Sequence, residues 1–222
     1  DTHNALCYAG IAKTSIKVGD ITRGFNIAMS LRDIQSIIEI AMVCENMKQF
    51  YEAAQLYERG NLPEKAASLY ISLKMFKQAD HLISKIKSPK LLIQLAKSKE
   101  AESAFKEAEA AYEKAEDWEN VIRLNVNNLD NIEKAKRILK EKCQTATCAS
   151  IIAAYCQKKG TKKEAIEYLV LAEKKDEAFN LAITHGEMET YAKSLQSPKP
   201  EEFLRIAQYY EGKSMWGLAG RY

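Results

Sequence analysis

Tyr57-Glu58-Arg59-Gly60-Asn61-Leu62-Pro63-Glu64-Lys65-Ala66-Ala67-Ser68-Leu69 reads as the end of one helix, a tight turn and the body of the next. Gly60 follows a basic last turn, and a glycine just past a helix end is the residue best able to take the left-handed conformation that satisfies the last carbonyls. We therefore expect Gly60 to hold that state. Tyr57, near the end of the first helix, is expected to pack on Ala66 of the second, whose lack of bulk lets the two helix axes approach. The arrangement recurs along the chain. Tyr112-Glu113-Lys114 precedes Asn120-Val121-Ile122-Arg123-Leu124, Tyr155 leads to Ala165, and Tyr210-Glu211 leads to Ala219. Each aromatic and its small or β-branched partner (Tyr57 with Ala66, Tyr112 with Val121, Tyr155 with Ala165, Tyr210 with Ala219) is read as a contact within a helix pair.

Outward from these pairs the periodicity stays helical. Ile34, Ile37, Ile38, Ala41 and Met42 recur at helical spacing, as do Ala101, Ala104, Phe105, Ala108, Ala111, Tyr112 and Ala115. No segment alternates with the period of a strand. Ser88 before Pro89 has the form of an N-cap followed by proline at the first helical position, and Thr161-Lys162-Lys163-Glu164 that of a capping box. Gly160 and Gly186, like Gly60, follow basic last turns. Only 9 glycines and 4 prolines occur in 222 residues, too few for the many tight connections of a sandwich or propeller. The reading is all-α, with about sixteen short antiparallel helices. Successive tyrosines of the pairs lie 55, 43 and 55 residues apart, so the roughly 34-residue period of tetratricopeptide (TPR) repeats is not kept. We expect residues 1–222 to form one continuous, degenerate TPR-like α-solenoid in which each pair buries its apolar face on its neighbours.

Composition narrows the chemistry. Hydrophobic residues at 46% and charged residues at 28% are ordinary globular proportions, and a net charge of +3 is too small to demand nucleic acid or an anionic membrane. No apolar stretch approaches the roughly 18 to 20 residues of a membrane span. Five cysteines, an odd number in a chain that needs no stapling, favour free thiols in a reducing compartment. The beginning carries neither an initiator methionine nor a signal peptide, and the end breaks off within an apolar-periodic segment, so an excerpt from a longer polypeptide is expected.

Candidate constellations give way to structural readings. Cys143, Cys148 and Cys156 lack the paired spacing and histidines of a zinc site and read as small buried hydrophobes. His3, His81 and His185 are scattered. No nucleophile elbow, zinc-protease helix or phosphate-cradling loop is present, so we expect no catalysis, cofactor or metal. Glu100, Glu102, Glu107, Glu109 and Glu113 alternate with lysines as exposed-helix decoration. Lys134, Lys136, Arg137, Lys140 and Lys142 form one basic group, interrupted by glutamates. Lys158, Lys159, Lys162, Lys163, Lys174 and Lys175 form a second, also interrupted. Both read first as solvated surface, and Lys159, Lys162 and Lys163, around a helix–helix turn, as a protein-docking ridge. A helical-repeat RNA binder is the alternative, but it would need base-reading residues at a fixed period, which the unequal intervals do not provide.

The string Cys44-Glu45-Asn46-Met47-Lys48-Gln49-Phe50-Tyr51-Glu52-Ala53-Ala54-Gln55-Leu56-Tyr57-Glu58-Arg59-Gly60 resembles the C-terminal TPR-like region of the WD-repeat subunits of intraflagellar transport complex A. Lys65-Ala66-Ala67, Ser88-Pro89-Lys90, Ala96 through Glu102, Ala111-Tyr112-Glu113 with Trp118, and Glu177-Ala178-Phe179 with His185 agree in order. The resemblance covers roughly residues 40 to 195. It implies N-terminal β-propellers outside this sequence and a scaffold without catalysis, acting in retrograde ciliary transport, cilium assembly and trafficking of membrane-protein cargo. The implied partners are the other complex A subunits, complex B and adaptors for ciliary membrane proteins. The implied location is the cilium and its base, with the cytoplasm and cytoskeleton.

Overall fold

The computed structural model describes residues 2–222, with side chains from Leu6 onward, so His3 lies outside the described side chains. Among the described residues the chain forms sixteen α-helices, one 3-10 turn at Ile83–Lys85 and no strand. It falls into two compact units, the first reaching to Asp117 and the second spanning Trp118–Tyr222. The fold is an all-α, TPR-like array of short helices.

The first unit contains α1 (Thr2–Val18), α2 (Ile21–Ser30), α3 (Ile34–Asn46), α4 (Phe50–Arg59), α5 (Pro63–Ser72), α6 (Phe76–Asp80), α7 (Pro89–Ala101) and α8 (Phe105–Lys114). Each helix packs on the next where a tight turn joins them, and α1 on α3, α2 on α4 and α5 on α7 add the stacking between pairs. The second unit contains α9 (Trp118–Asn127), α10 (Ile132–Glu141), α11 (Ala146–Lys159), α12 (Lys162–Leu171), α13 (Lys175–His185), α14 (Met188–Ser194), α15 (Pro200–Gly212) and α16 (Trp216–Ala219). There α9 packs on α11 and α12 on α14. Helices of about ten residues are marginal alone in water, so this stacking is what makes them stable.

Small residues set the helix spacing. Ala53, Ala54, Ala66, Ala67, Ala108 and Ala111 are all without solvent exposure. Tyrosines fill the space at the helix ends. Tyr57 is fully buried and donates its hydroxyl to Glu45 Oε2 at 2.6 Å; Tyr70 donates to Glu58 at 3.4 Å; fully buried Tyr112 donates to Glu100 at 2.6 Å. In each case the carboxylate lies twelve residues earlier, near the end of the preceding helix. Burial, with the neighbouring carboxylates adding to it, raises the Tyr57 and Tyr70 hydroxyls well above the ordinary phenol range. They therefore remain donors at any physiological pH. Glu100, expected as surface decoration, is part of this packing: helix geometry brings a tyrosine hydroxyl over it from the next helix.

The turns share one backbone device. At α3 the N–H of Lys48 bonds to the carbonyl of Glu45 and that of Gln49 to Cys44, with Lys48 at φ 60°. This pair of bonds with a left-handed residue between them is the Schellman arrangement. It recurs with Asn61, Lys74, Ser103, Glu116, Glu173 and Ser214 as the left-handed residue, and with glycine at Gly19, Gly160 and Gly186. Gly160 and Gly186 match the sequence expectation. Gly60 does not: its φ is −74°, and the left-handed residue is Asn61 at φ 57°. Gly60 is required for a different reason. A Cβ there would come within 2.9 Å of Ile38 Cγ1 and 3.2 Å of the Leu56 carbonyl oxygen, so the glycine permits α4 to end against α3. Gly24 serves the same purpose where α2 crosses α1, with an added Cβ 2.5 Å from Ile16 and 2.8 Å from the Ala12 carbonyl.

The capping box expected at Thr161 does not form. The turn instead directs the Thr161 N–H and hydroxyl to the Cys156 carbonyl, at 3.0 and 3.2 Å, and Glu164 accepts from Lys136 at 2.8 Å. Ser88 and Pro89 do start α7, but the Lys87 and Ser88 N–H groups are satisfied by Glu64 Oε1, at 3.1 and 3.0 Å, from the start of α5. Side-chain caps occur at Asp20, Asp33, Asn131 and Thr145.

These observations yield opposite outcomes at two turns. Gly60→Ala should destabilise the chain by about 1–3 kcal/mol through overpacking. Glu173→Gly should instead be neutral or stabilise it by up to about 1 kcal/mol, because a left-handed non-glycine residue carries a cost of that order. Urea denaturation of both variants reads the two signs; stabilisation by Gly60→Ala would show that the α3–α4 approach is not tight. A second prediction concerns the packing of α4 on α5, where Tyr57 and Ala66 are both fully buried. Ala66→Trp should cost about 1–3 kcal/mol, and a variant melting with the parent would refute the inferred Tyr57–Ala66 register.

Candidate functional site

The structure divides the second basic group of the sequence: Lys174 and Lys175 lie at the start of α13, and the other four lysines surround the turn from α11 to α12. Its tip is Gly160 in the left-handed state, φ 79°, which directs Lys158 and Lys159 out of one helix end and Lys162 and Lys163 out of the next helix start. All four are exposed. Lys159 Nζ lies 3.6 Å from Asp130 Oδ1 and 5.3 Å from the centre of the Tyr155 ring, and the Tyr155 hydroxyl donates to the same carboxylate oxygen at 2.8 Å. The Tyr155 hydrogen bond and then the Lys159 charge hold Asp130 below the usual carboxylate range. The Asp130 charge in turn raises Lys159. Lys163 is 3.8 Å from Glu187. Both ion pairs exceed hydrogen-bonding distance, and only Glu187 of the four side chains is half-buried rather than exposed, so the pairs contribute little to stability.

The packing residues named from sequence lie in several environments. Tyr57, Ala66, Tyr112, Val121 and Ala165 are fully buried, and Tyr210 and Ala219 nearly so. Tyr210 stacks on Tyr222 at 6.0 Å with an 11° angle between the rings. Tyr155 differs. It is half-buried with its hydroxyl on Asp130, while Ile152, Ala153 and Cys156 supply the buried face of α11.

A cleft in the second unit went unmarked by sequence reasoning. It has a volume of about 620 Å³, and its lining includes Arg137 and Lys140 from α10, Thr145 before α11, and Tyr168 and Leu171 from α12. Lys136 also faces it, held by Glu164 at 2.8 Å and Glu133 at 3.2 Å. The carboxylate of Glu164 raises the Lys136 ammonium above its ordinary range. Arg137 and Lys140 are exposed, and Leu171 is 46% exposed. The available signal was the basic run Lys134 to Lys142 on a strongly amphipathic helix. Its neighbour across the cleft, α12, follows only after the whole of α11 and could not be placed beside it by spacing. Among the described residues no group of histidine, cysteine and acidic side chains is arranged to hold a metal ion, and no helix is long and apolar enough to cross a membrane.

Comparison with known proteins places this arrangement. The chain is 40% identical, over 222 residues and 99% of its length, to WD repeat-containing protein 19 of Homo sapiens and equally to that of Mus musculus. It is 33% identical over 194 residues, 87% of its length, to WD repeat-containing protein dyf-2 of Caenorhabditis elegans. It spans only 16% of the length of the two mammalian relatives and 14% of the nematode one. The family model for the TPR domain of intraflagellar transport proteins 140 and 172 matches residues 29–218, covering helices of both units. The chain belongs to this intraflagellar transport TPR domain family.

Proposed function

We propose that residues 1–222 are a segment of the α-solenoid of an intraflagellar transport complex A subunit and that the segment is a protein-interaction scaffold rather than a catalyst. The match of the intraflagellar transport TPR domain across residues 29–218 carries this reading. The physical support is a chain built from stacked helix pairs, whose cores are mainly apolar and in which Lys99 is the one buried ionic side chain among the described residues. Such an array offers extended surfaces to partner subunits without rearranging its core. On this reading the parent protein acts in retrograde transport, cilium assembly and the carriage of membrane-protein cargo. It works at the cilium and ciliary base, with the other complex A subunits as partners and complex B and cargo adaptors beyond them.

Docking is assigned to the ridge of Lys159, Lys162 and Lys163. Its side chains project from a helix–helix turn, and the two ion pairs they make are loose. Charges at an interface rim act mainly on association rate and are screened by salt. The triple variant Lys159→Glu, Lys162→Glu and Lys163→Glu should keep its helicity by circular dichroism yet recover less of the partner subunits in a low-salt pull-down of the full-length parent. The deficit should shrink as salt is raised. Unchanged recovery would remove the ridge from the interface. Tight, salt-dependent RNA binding by the parent would favour a helical-repeat RNA binder instead.

A further inference from the structure

The three cysteines that the sequence groups together are separated by the fold into a pair and a singleton. Cys143 and Cys148 bring their Sγ atoms to 3.0 Å, about 1 Å beyond the ~2.05 Å of a disulfide bond. Cys156 lies elsewhere, its Sγ 3.7 Å from Glu164 Oε2. The pair straddles the turn from α10 to α11, and that turn is held by backbone. The Cys143 N–H donates to the Ile138 carbonyl at 3.2 Å, and the Thr145 hydroxyl caps α11 by accepting from the Cys148 N–H at 3.4 Å. Thr145 Oγ1 also lies 3.4 Å from Cys143 Sγ. The two thiols are therefore brought together by the end of one helix and the start of the next, without any long loop to close.

Their environments differ in a way that orders their chemistry. Cys143 is half-buried and open to small reagents, whereas Cys148 is buried. Burial pushes the Cys148 thiol up to about 11, so at neutral pH it remains protonated and does not react first.

We propose that Cys143 and Cys148 form a reversible redox site, in which the more accessible Cys143 reacts first and the buried Cys148 resolves it to an intrachain disulfide. With a small-molecule disulfide such as oxidised glutathione as oxidant, the Cys143 thiolate attacks one sulfur and expels a glutathione thiolate, leaving a mixed disulfide on Cys143. The Cys148 sulfur then displaces the second glutathione, and the Cys148 proton leaves with it as glutathione thiol. Two protein thiols are oxidised and one glutathione disulfide is reduced to two thiols. A reducing compartment reverses the reaction, and disulfides of this local, transient kind are the ones found there. Gln144 and Thr145, between the two cysteines, line the cleft of the second unit, so the bond fixes one rim of that cleft.

The test uses the full 222-residue chain with Cys7, which is exposed on α1, replaced as Cys7→Ser. Oxidised glutathione is added at mildly alkaline pH, free thiols are alkylated, and unreduced peptides are mapped by mass spectrometry. The expected product is a Cys143–Cys148 cross-linked peptide with loss of two alkylatable thiols. It should form about tenfold or more faster than in concentrated urea, because the fold positions the sulfurs. Cys148→Ser should stop at a glutathione adduct on Cys143, and Cys143→Ser should leave Cys148 unmodified, with helicity retained in both. A stable glutathione adduct on Cys143 when Cys148 is intact, two thiols that stay free, or equal cross-linking in urea would each overturn the proposal.

Discussion

Among the described residues, ten reversals of the chain depend on one backbone state, a single left-handed residue between two nested hydrogen bonds. The constraint is geometric. A helix of about ten residues must stop, turn back and present its apolar stripe to the helix just completed, and the Schellman arrangement does this in few residues while satisfying the last carbonyls. Seven of the ten positions are not glycine: lysine, asparagine, serine and glutamate accept a local cost of about 1 kcal/mol each. Stacking of the helices must exceed that cost, which is why the turns and the buried alanines belong to the same design.

Burial supplies the compensation in a repeating form. A small residue brings two axes together, and a tyrosine at the helix end covers the contact while its hydroxyl finds a carboxylate twelve residues earlier. The α3–α4 and α7–α8 pairs show the same solution, with Glu45 and Tyr57 equivalent to Glu100 and Tyr112, each bond 2.6 Å long. A buried phenol needs a partner, and a charged acceptor makes that hydrogen bond worth more than a neutral one. The tyrosines that are plentiful in this chain thus act largely in packing. Tyr155 departs from the pattern: it leaves the buried face to Cys156 and joins Asp130 and Lys159 at the surface.

The charged groups divide into those consumed by structure and those left outside it. Lys99, paired with Asp80, and Lys114, donating to the Ile83 carbonyl, are used within the first unit. Lys136 is held by two glutamates in the second. Lys162 and Lys163 at the α11–α12 turn, and Lys140 on the cleft, remain exposed. On the scaffold function proposed above, docking would draw on the second set, because weak surface pairs contribute little to the core.

Helical periodicity, the scarcity of glycine and proline, and the recurring aromatic and small residues determined the fold class and the number of helices, because amphipathic spacing is a local property that any stretch of sequence carries. The same local signals located the left-handed turns at Gly160 and Gly186. They misplaced the one at Gly60, since whether a glycine serves a turn or a close approach depends on Ile38 from another helix. They likewise suggested a capping box at Thr161, where Lys136 from α10 claims the glutamate. Only the tertiary structure decided which carboxylate meets which tyrosine, which lysines are already paired, that α10 and α12 line one cleft, and that two of three neighbouring cysteines come together. Each of these is a contact between elements, fixed by how helices stack and therefore absent from the spacing of residues along the chain.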